Sequence, residues 1–133
     1  MAATETIDVR TTTRAEAIDI TSLVRAAVKR SGIDDGLAVV FCKHTTAALT
    51  IQENSDPTVR AAVLAHLAQA VPHGAGAVSA ATNGDAHVKS SLIGASLTLV
   101  VEAGKPVLGP WQAIYFCEFD GPRNRQVLIK VVG

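Results

Sequence analysis

Apolar and polar residues alternate from Glu5 to Arg10, with Ile7 and Val9 on one side, the pattern of a half-exposed strand. Thr21-Ser22 then precedes Leu23, Val24, Ala27 and Val28, a helical stripe closed by Ser31-Gly32, where glycine suits a left-handed cap. Leu37 to Lys43 and Ala47 to Gln52 predict two strands, interrupted by His44-Thr45-Thr46. Asp56-Pro57 marks a helix start, a side-chain cap followed by proline at the first helical position. Val59, Val63, Leu67 and Ala70 keep one face apolar until Val71-Pro72 ends the helix.

Residues 73–82 are small and Gly/Ala-rich and predict a loop. Asn83-Gly84-Asp85 opens a short helix through His87 and Ser91 that stops at Gly94. Three strands follow, Ser96 to Glu102, Gln112 to Phe119 and Gln126 to Val132, the first ending in a turn at Ala103-Gly104-Lys105. Asp120-Gly121-Pro122 is a turn signal that predicts a hairpin between the last two. Helices gather in the first two-thirds and strands at the end, without a βαβ rhythm. The fold class expected is α+β, as one domain over residues 1–133.

Charge narrows the partners. Twelve basic and twelve acidic residues cancel and no segment carries a run of one sign, so the basic patch that nucleic acid requires is missing. The apolar runs are too short to span a bilayer. Met1 to Arg10 lacks the apolar core of a signal peptide, so the cytoplasm is the expected compartment, with Cys42 and Cys117 as buried free thiols. Hydrophobic residues make up 48% of the chain and charged ones only 18%, against about 25% in an average domain. A surface so poor in charge predicts a homo-oligomer.

With ionisable residues scarce, four clusters carry the candidate chemistry. His44-Thr45-Thr46 lies between two strands and offers a metal ligand or a general base beside two hydroxyls, with Glu53-Asn54 at the far end of the next strand. Asn83 to Ser91 opens a helix whose N-terminus suits an anion; His87, Ser90 and Ser91 fall on or near one face, Asp85 can cap the helix, and Lys89 turns away. Trp111-Gln112 is either packing or a ligand platform. Arg123 and Arg125 are either a two-armed clamp for phosphate or carboxylate, or ion pairs to Glu118 or Asp120. There is no Walker sequence, no Gly-x-Gly-x-x-Gly, no Cys-x-x-Cys and no Gly-x-Ser-x-Gly elbow.

His44-Thr45-Thr46-Ala47-Ala48, Glu53-Asn54 with Asp56-Pro57-Thr58-Val59, the Asn83 to Ser91 stretch, Leu108-Gly109-Pro110-Trp111-Gln112 and Glu118-Phe119-Asp120-Gly121-Pro122-Arg123 together resemble the YjbQ family, in the family's order. The resemblance implies a mixed, strongly curved sheet with two or three helices, assembled as a homotrimer. It also implies a secondary thiamine-phosphate synthase, joining a pyrimidine pyrophosphate to a thiazole phosphate and releasing pyrophosphate. His44 matches the histidine of the family's His-Thr-Thr motif and His87 that of the short helix, which implies a divalent metal, Zn or Mg, with His44 and His87 as ligands. The sequence departs from the family in two places. The loop before the short helix lacks a clear third histidine, His73 standing early beside Pro72, and Pro110 replaces the threonine expected before Trp111.

For such a transferase, Arg123, Arg125, Lys89 and the Asn83-Gly84-Asp85 turn would neutralise pyrophosphate, with Glu53 or Asp85 holding a metal. The competing expectations are a metal-dependent hydrolase with Glu53 as general base, and a non-catalytic trimer that binds a phosphorylated metabolite. Glu53, Asp85 and His87 are the candidate catalytic residues. Thr45, Thr46, Asn83, Lys89, Ser90, Ser91, Trp111, Gln112, Arg123 and Arg125 are the candidate ligand contacts.

Overall fold

The structure, a computed structural model, describes residues 1–74 and 83–133. Eight strands and three helices are present among them: β1 (Ala2–Arg10), β2 (Glu16–Asp19), α1 (Thr21–Ser31), β3 (Gly36–Cys42), β4 (Ala47–Glu53), α2 (Pro57–Ala70), α3 (Gly84–Ile93), β5 (Ser96–Glu102), β6 (Lys105–Pro106), β7 (Gln112–Glu118) and β8 (Asn124–Val132). The strands form a five-stranded sheet, β1-β8-β3-β5-β6, and a three-stranded sheet, β2-β7-β4. The α+β class follows the sequence expectation. The sheets differ from the mixed arrangement implied by the resemblance, because every strand pairing described is antiparallel. No helix among the described residues is long and apolar enough to cross a membrane.

Period-two patterning explains the core. Ala38, Val40 and Cys42 of β3 and Val127, Ile129 and Val131 of β8 point inward and are buried, against Ile114 and Phe116 of β7. Val24, Ala27 and Val28 of α1 close the same core, and Gly32 at φ +71° ends that helix with its N–H on the Lys29 carbonyl. The other face of β7 is covered by helices: Cys117 and Phe119 join Ala48 and Ala86, with Leu64 and Leu67 of α2 packed alongside. The Asp56 carboxylate caps α2 by accepting from the Thr58 N–H at 2.9 Å, as the sequence predicts. None of the fourteen residues of α2 is buried, so this helix rests on the sheet rather than in it.

The expected hairpin between the last two long strands does not form. β7 already has β2 and β4 on its two edges, so the chain leaves the three-stranded sheet after Glu118 and enters the five-stranded one between β1 and β3. Two strands absent from the sequence reading, β2 and β6, are four and two residues long, too short for a period to show. The loop expected over residues 73–82 lies mostly outside the described residues.

Candidate functional site

Three segments carry the chain between the two sheets at one corner: residues 11–15 between β1 and β2, 43–46 between β3 and β4, and 119–123 between β7 and β8. Backbone bonds tie them together, Thr11 N–H to the Arg123 carbonyl at 2.9 Å, Gly121 N–H to Arg14 at 3.0 Å and Phe119 N–H to Thr46 at 3.1 Å. Alternation along β7 and β8 turns Glu118 and Arg125 inward at this corner, and both are buried. The Arg125 guanidinium grips the Glu118 carboxylate through Nε (2.8 Å to Oε1) and Nη2, and Nη2 also donates to Thr46 Oγ1 at 2.8 Å. Thr11 Oγ1 and the Phe119 and Asp120 N–H groups supply Glu118 with three further donors at 2.7, 3.0 and 3.1 Å. Burial pushes the Glu118 pKa up, but these donors outweigh it and hold the carboxyl below its ordinary value. A pair so fully satisfied fixes the corner.

Beside it, α3 begins in a second polar cluster centred on Asp85. Its buried carboxylate accepts from Lys89 Nζ at 2.9 Å, from Arg14 at 3.1 and 3.3 Å, and meets His73 Nδ1 at 3.0 Å. Burial opposes ionisation, yet the bonds from His73, Lys89 and Arg14 prevail and hold Asp85 far below the usual carboxylate range. Asp85 is therefore an anchor for cations, and the capping role that the sequence allowed it is not filled. Lys89, expected to face solvent, has a side chain only 6% exposed, because Asp85 stands one turn before it on the same face. The Asn83 side chain leaves the helix end uncapped and donates to Asp120 Oδ2 at 3.0 Å, which Arg123 Nη2 also reaches at 2.8 Å. Arg14 Nε lies 4.0 Å from Asp120 Oδ1.

The corner thus gathers His44, Thr46, Asn83, Asp85, Lys89, Arg123 and Arg125. Ser90 is tied to it through Oγ, which donates to the Ala47 carbonyl at 2.7 Å, three residues beyond His44; Ser91 Oγ donates to the His87 carbonyl at 3.0 Å. Thr45 and the His87 side chain are exposed. Of the two sequence readings for Arg123 and Arg125, the geometry has both arginines in ion pairs, with Asp120 and Glu118. Glu53 is placed elsewhere. Ala47 pairs with Glu118 at one end of β4 and Glu53 with Gln112 at the other, so about 20 Å of strand separates Glu53 from the corner. Trp111 and Gln112 share that far end, Trp111 61% exposed with its carbonyl accepting from Asn54 N–H, and Gln112 Oε1 accepting from Gly109 N–H at 2.7 Å.

Among the described residues no three His, Cys, Asp or Glu side chains converge. The His44 Nε2 lone pair already accepts the Gln126 N–H at 2.9 Å, and His73 is spent on Asp85. Burial and the nearby Arg125 charge lower the His44 pKa, which keeps this acceptor neutral. Sequence reasoning missed Arg14 and Thr11, which lie in a polar stretch with no motif; only the pairing of β1 with β8 brings them here. The two thiols, Cys42 and Cys117, are buried and free, and desolvation pushes Cys117 up to about 12.

Comparison with known proteins places this geometry in context. A family model described as UPF0047 protein YjbQ-like matches residues 5–133. The chain is similar to YugU of Bacillus subtilis, 45% identical over 136 residues, covering 97% of this chain and 98% of that one. A UPF0047 protein of Methanocaldococcus jannaschii is 43% identical over 125 residues, covering 94% and 91%. Among solved structures, a YbjQ-like protein of unknown function from Sulfolobus solfataricus superposes with a TM-score of 0.95 at 29% identity, covering 100% of this chain and 98% of that one. An uncharacterized conserved protein from Clostridium acetobutylicum gives 0.93 at 46% identity, covering 96% and 99%.

Proposed function

The chain belongs to the YjbQ-like UPF0047 family, and from that premise we propose that its sheet corner binds a phosphorylated small molecule and catalyses thiamine-phosphate-synthase-like transfer. The reading is supported by one observation above the rest: among the described residues, the carboxylates that Arg14, Lys89 and Arg123 meet around the N-terminus of α3 are those of Asp85 and Asp120. Three cations against two carboxylates, with the positive end of a helix dipole, favour an incoming anion.

In this reading the thiazole nitrogen lone pair attacks the pyrimidine methylene carbon as the bond to diphosphate oxygen breaks, and the electron pair leaves with the diphosphate. Arg14 and Arg123, each partly exposed, swing from their carboxylates to the leaving group. Magnesium enters with the diphosphate as part of the substrate. His87, exposed on the first turns of α3, donates a hydrogen bond to the departing oxygen. A coupled assay with the two thiamine precursors tests this. The wild type is expected to form thiamine phosphate, and His87→Ala to lose about a hundredfold in kcat. No product above the variant's background overturns the proposal.

A second observation favours assembly of copies of this chain, for which the family resemblance implies three. The outer face of the five-stranded sheet exposes Leu37, Val39 and Phe41 on β3, flanked by Val100 on β5 and Val132 on β8. This apolar row has no partner among the described residues, and a second copy would cover it. Val39→Lys with Phe41→Lys is expected to convert a trimer to monomers in light scattering. A wild type that runs as a monomer counts against the assembly.

A further inference from the structure

At the other end of the five-stranded sheet, a cleft of about 710 Å³ opens between the last turns of α1 and the turn from β5 to β6. Arg25 and Lys29 line it from α1 and Lys105 from β6, with Ala26, Ile33 and Pro106 as its apolar lining. It is remote from the corner: β5 begins at Ser96, next to Phe41, and reaches this cleft only after Glu102, about 20 Å along the strand.

Arg14, Arg30, Lys89, Arg123 and Arg125 each end on a carboxylate. Arg25, Lys29 and Lys105 end on none among the described residues, and the cleft contains one acid, Asp34. Arg25, Lys29 and Lys105 are set apart by converging on one cleft; Arg10, Lys43, Arg60 and Lys130 also end on no carboxylate among the described residues but line no part of it. Three positive charges less one negative leave a formal charge of +2 in the lining. Arg25 and Lys29 stand one turn apart on the same helix face, a repulsive spacing that the α1 C-terminus relieves for Lys29.

The wall is also conformationally costly. Ala103 sits at φ +51°, a left-handed conformation rare for a residue with a side chain. Gly104 follows at φ +72°, its N–H on the Asp34 carbonyl at 3.1 Å, and a Cβ there would lie 3.3 Å from the Asp34 carboxylate. This turn brings Lys105 to the same cleft as the two α1 cations.

We propose that the cleft binds a phosphate monoester, its dianionic head among Arg25, Lys29 and Lys105 and its organic body on Ile33 and Pro106. The side-chain charge of +2 in the lining is the complement of a dianion and outweighs the partial negative charge at the α1 C-terminus. The volume lies within the range of about 300–1,000 Å³ usual for small-molecule sites and leaves room beyond the phosphate itself. The site is independent of the corner and of the transferase reading.

Amide NMR titrations with inorganic phosphate and with phenyl phosphate, at constant ionic strength, test it. Saturating shifts are expected at Gly32, Ile33 and Gly104, with phenyl phosphate the tighter ligand because it also covers the apolar lining. Lys29→Glu with Lys105→Glu should weaken binding at these amides about a hundredfold, roughly tenfold for each lost cation, and Arg25→Gln about tenfold. All three residues are exposed, so the variants should keep the wild-type spectrum elsewhere. Shifts confined to Asn83–Lys89, shifts reproduced by chloride alone, or cleft shifts that survive the double substitution overturn the proposal.

Discussion

Replacing Arg125 with Met is expected to lower the free energy of unfolding by about 3–5 kcal/mol, as urea denaturation would measure it. The change removes one half of a buried ion pair and leaves the Glu118 carboxylate charged in the interior, with only Thr11 and two backbone N–H groups to solvate it. Thr46 loses a donor at the same time. Against a total stability of about 5–15 kcal/mol, such a loss brings the protein close to unfolding at 37 °C. The diagnostic comparison is Arg125→Met with Glu118→Gln, which removes the orphaned charge while keeping a side-chain acceptor. The double variant should be more stable than Arg125→Met alone. A double variant that is less stable by the full sum of both single effects would show that the two side chains act separately.

Asp85→Asn carries the second-largest expected effect, about 3 kcal/mol at neutral pH. It leaves the Lys89 ammonium buried without its counter-ion; the partly exposed Arg14 and His73 contribute less, because solvent screens them. The pH dependence identifies the cause. Asp85, Glu118 and Asp120 all have folded pKa values below their ordinary ones, so the unfolded chain takes up protons first as the solution is acidified. Their contribution is complete above the ordinary carboxylate range, near pH 4, and is lost progressively as pH falls below it. Stability profiles of wild type and Asp85→Asn should therefore converge toward acid. Parallel profiles from pH 7 to pH 3 would show that the Asp85 charge contributes nothing.

How far the sequence foretold these features depends on the distance over which the signal acts. The Asp56-Pro57 helix start and the inward rows of β3 and β8 were legible because caps and periods are local. The Glu118–Arg125 pair was half legible: two-residue alternation puts position 118 in register with Ile114 and Phe116, and 125 with Val127 and Ile129, so both belonged inside. What hid the geometry was the turn between them, which reads as a hairpin and instead crosses between sheets. Lys89 was misplaced for a related reason. Its burial depends on Asp85 one turn earlier and on Arg14 and His73 from distant segments, none of which changes the local pattern. Glu53 was grouped with His44 because it stands only nine positions further along the chain, but extended β4 turns that spacing into length.

The order of the strands constrains how the molecule can be made. Among the described residues β1, the first strand, has a single neighbour, and that neighbour is β8, the last, which also lies against β3. A nascent chain synthesised through β7 therefore holds two unpaired strand edges and a Glu118 still waiting for its guanidinium. Closure of the corner and zipping of the larger sheet become one late event, driven by long-range pairing that is intrinsically slow. Until then the apolar edge of β3 stays open, and protection by a chaperone during synthesis should matter more for this fold than its modest length suggests.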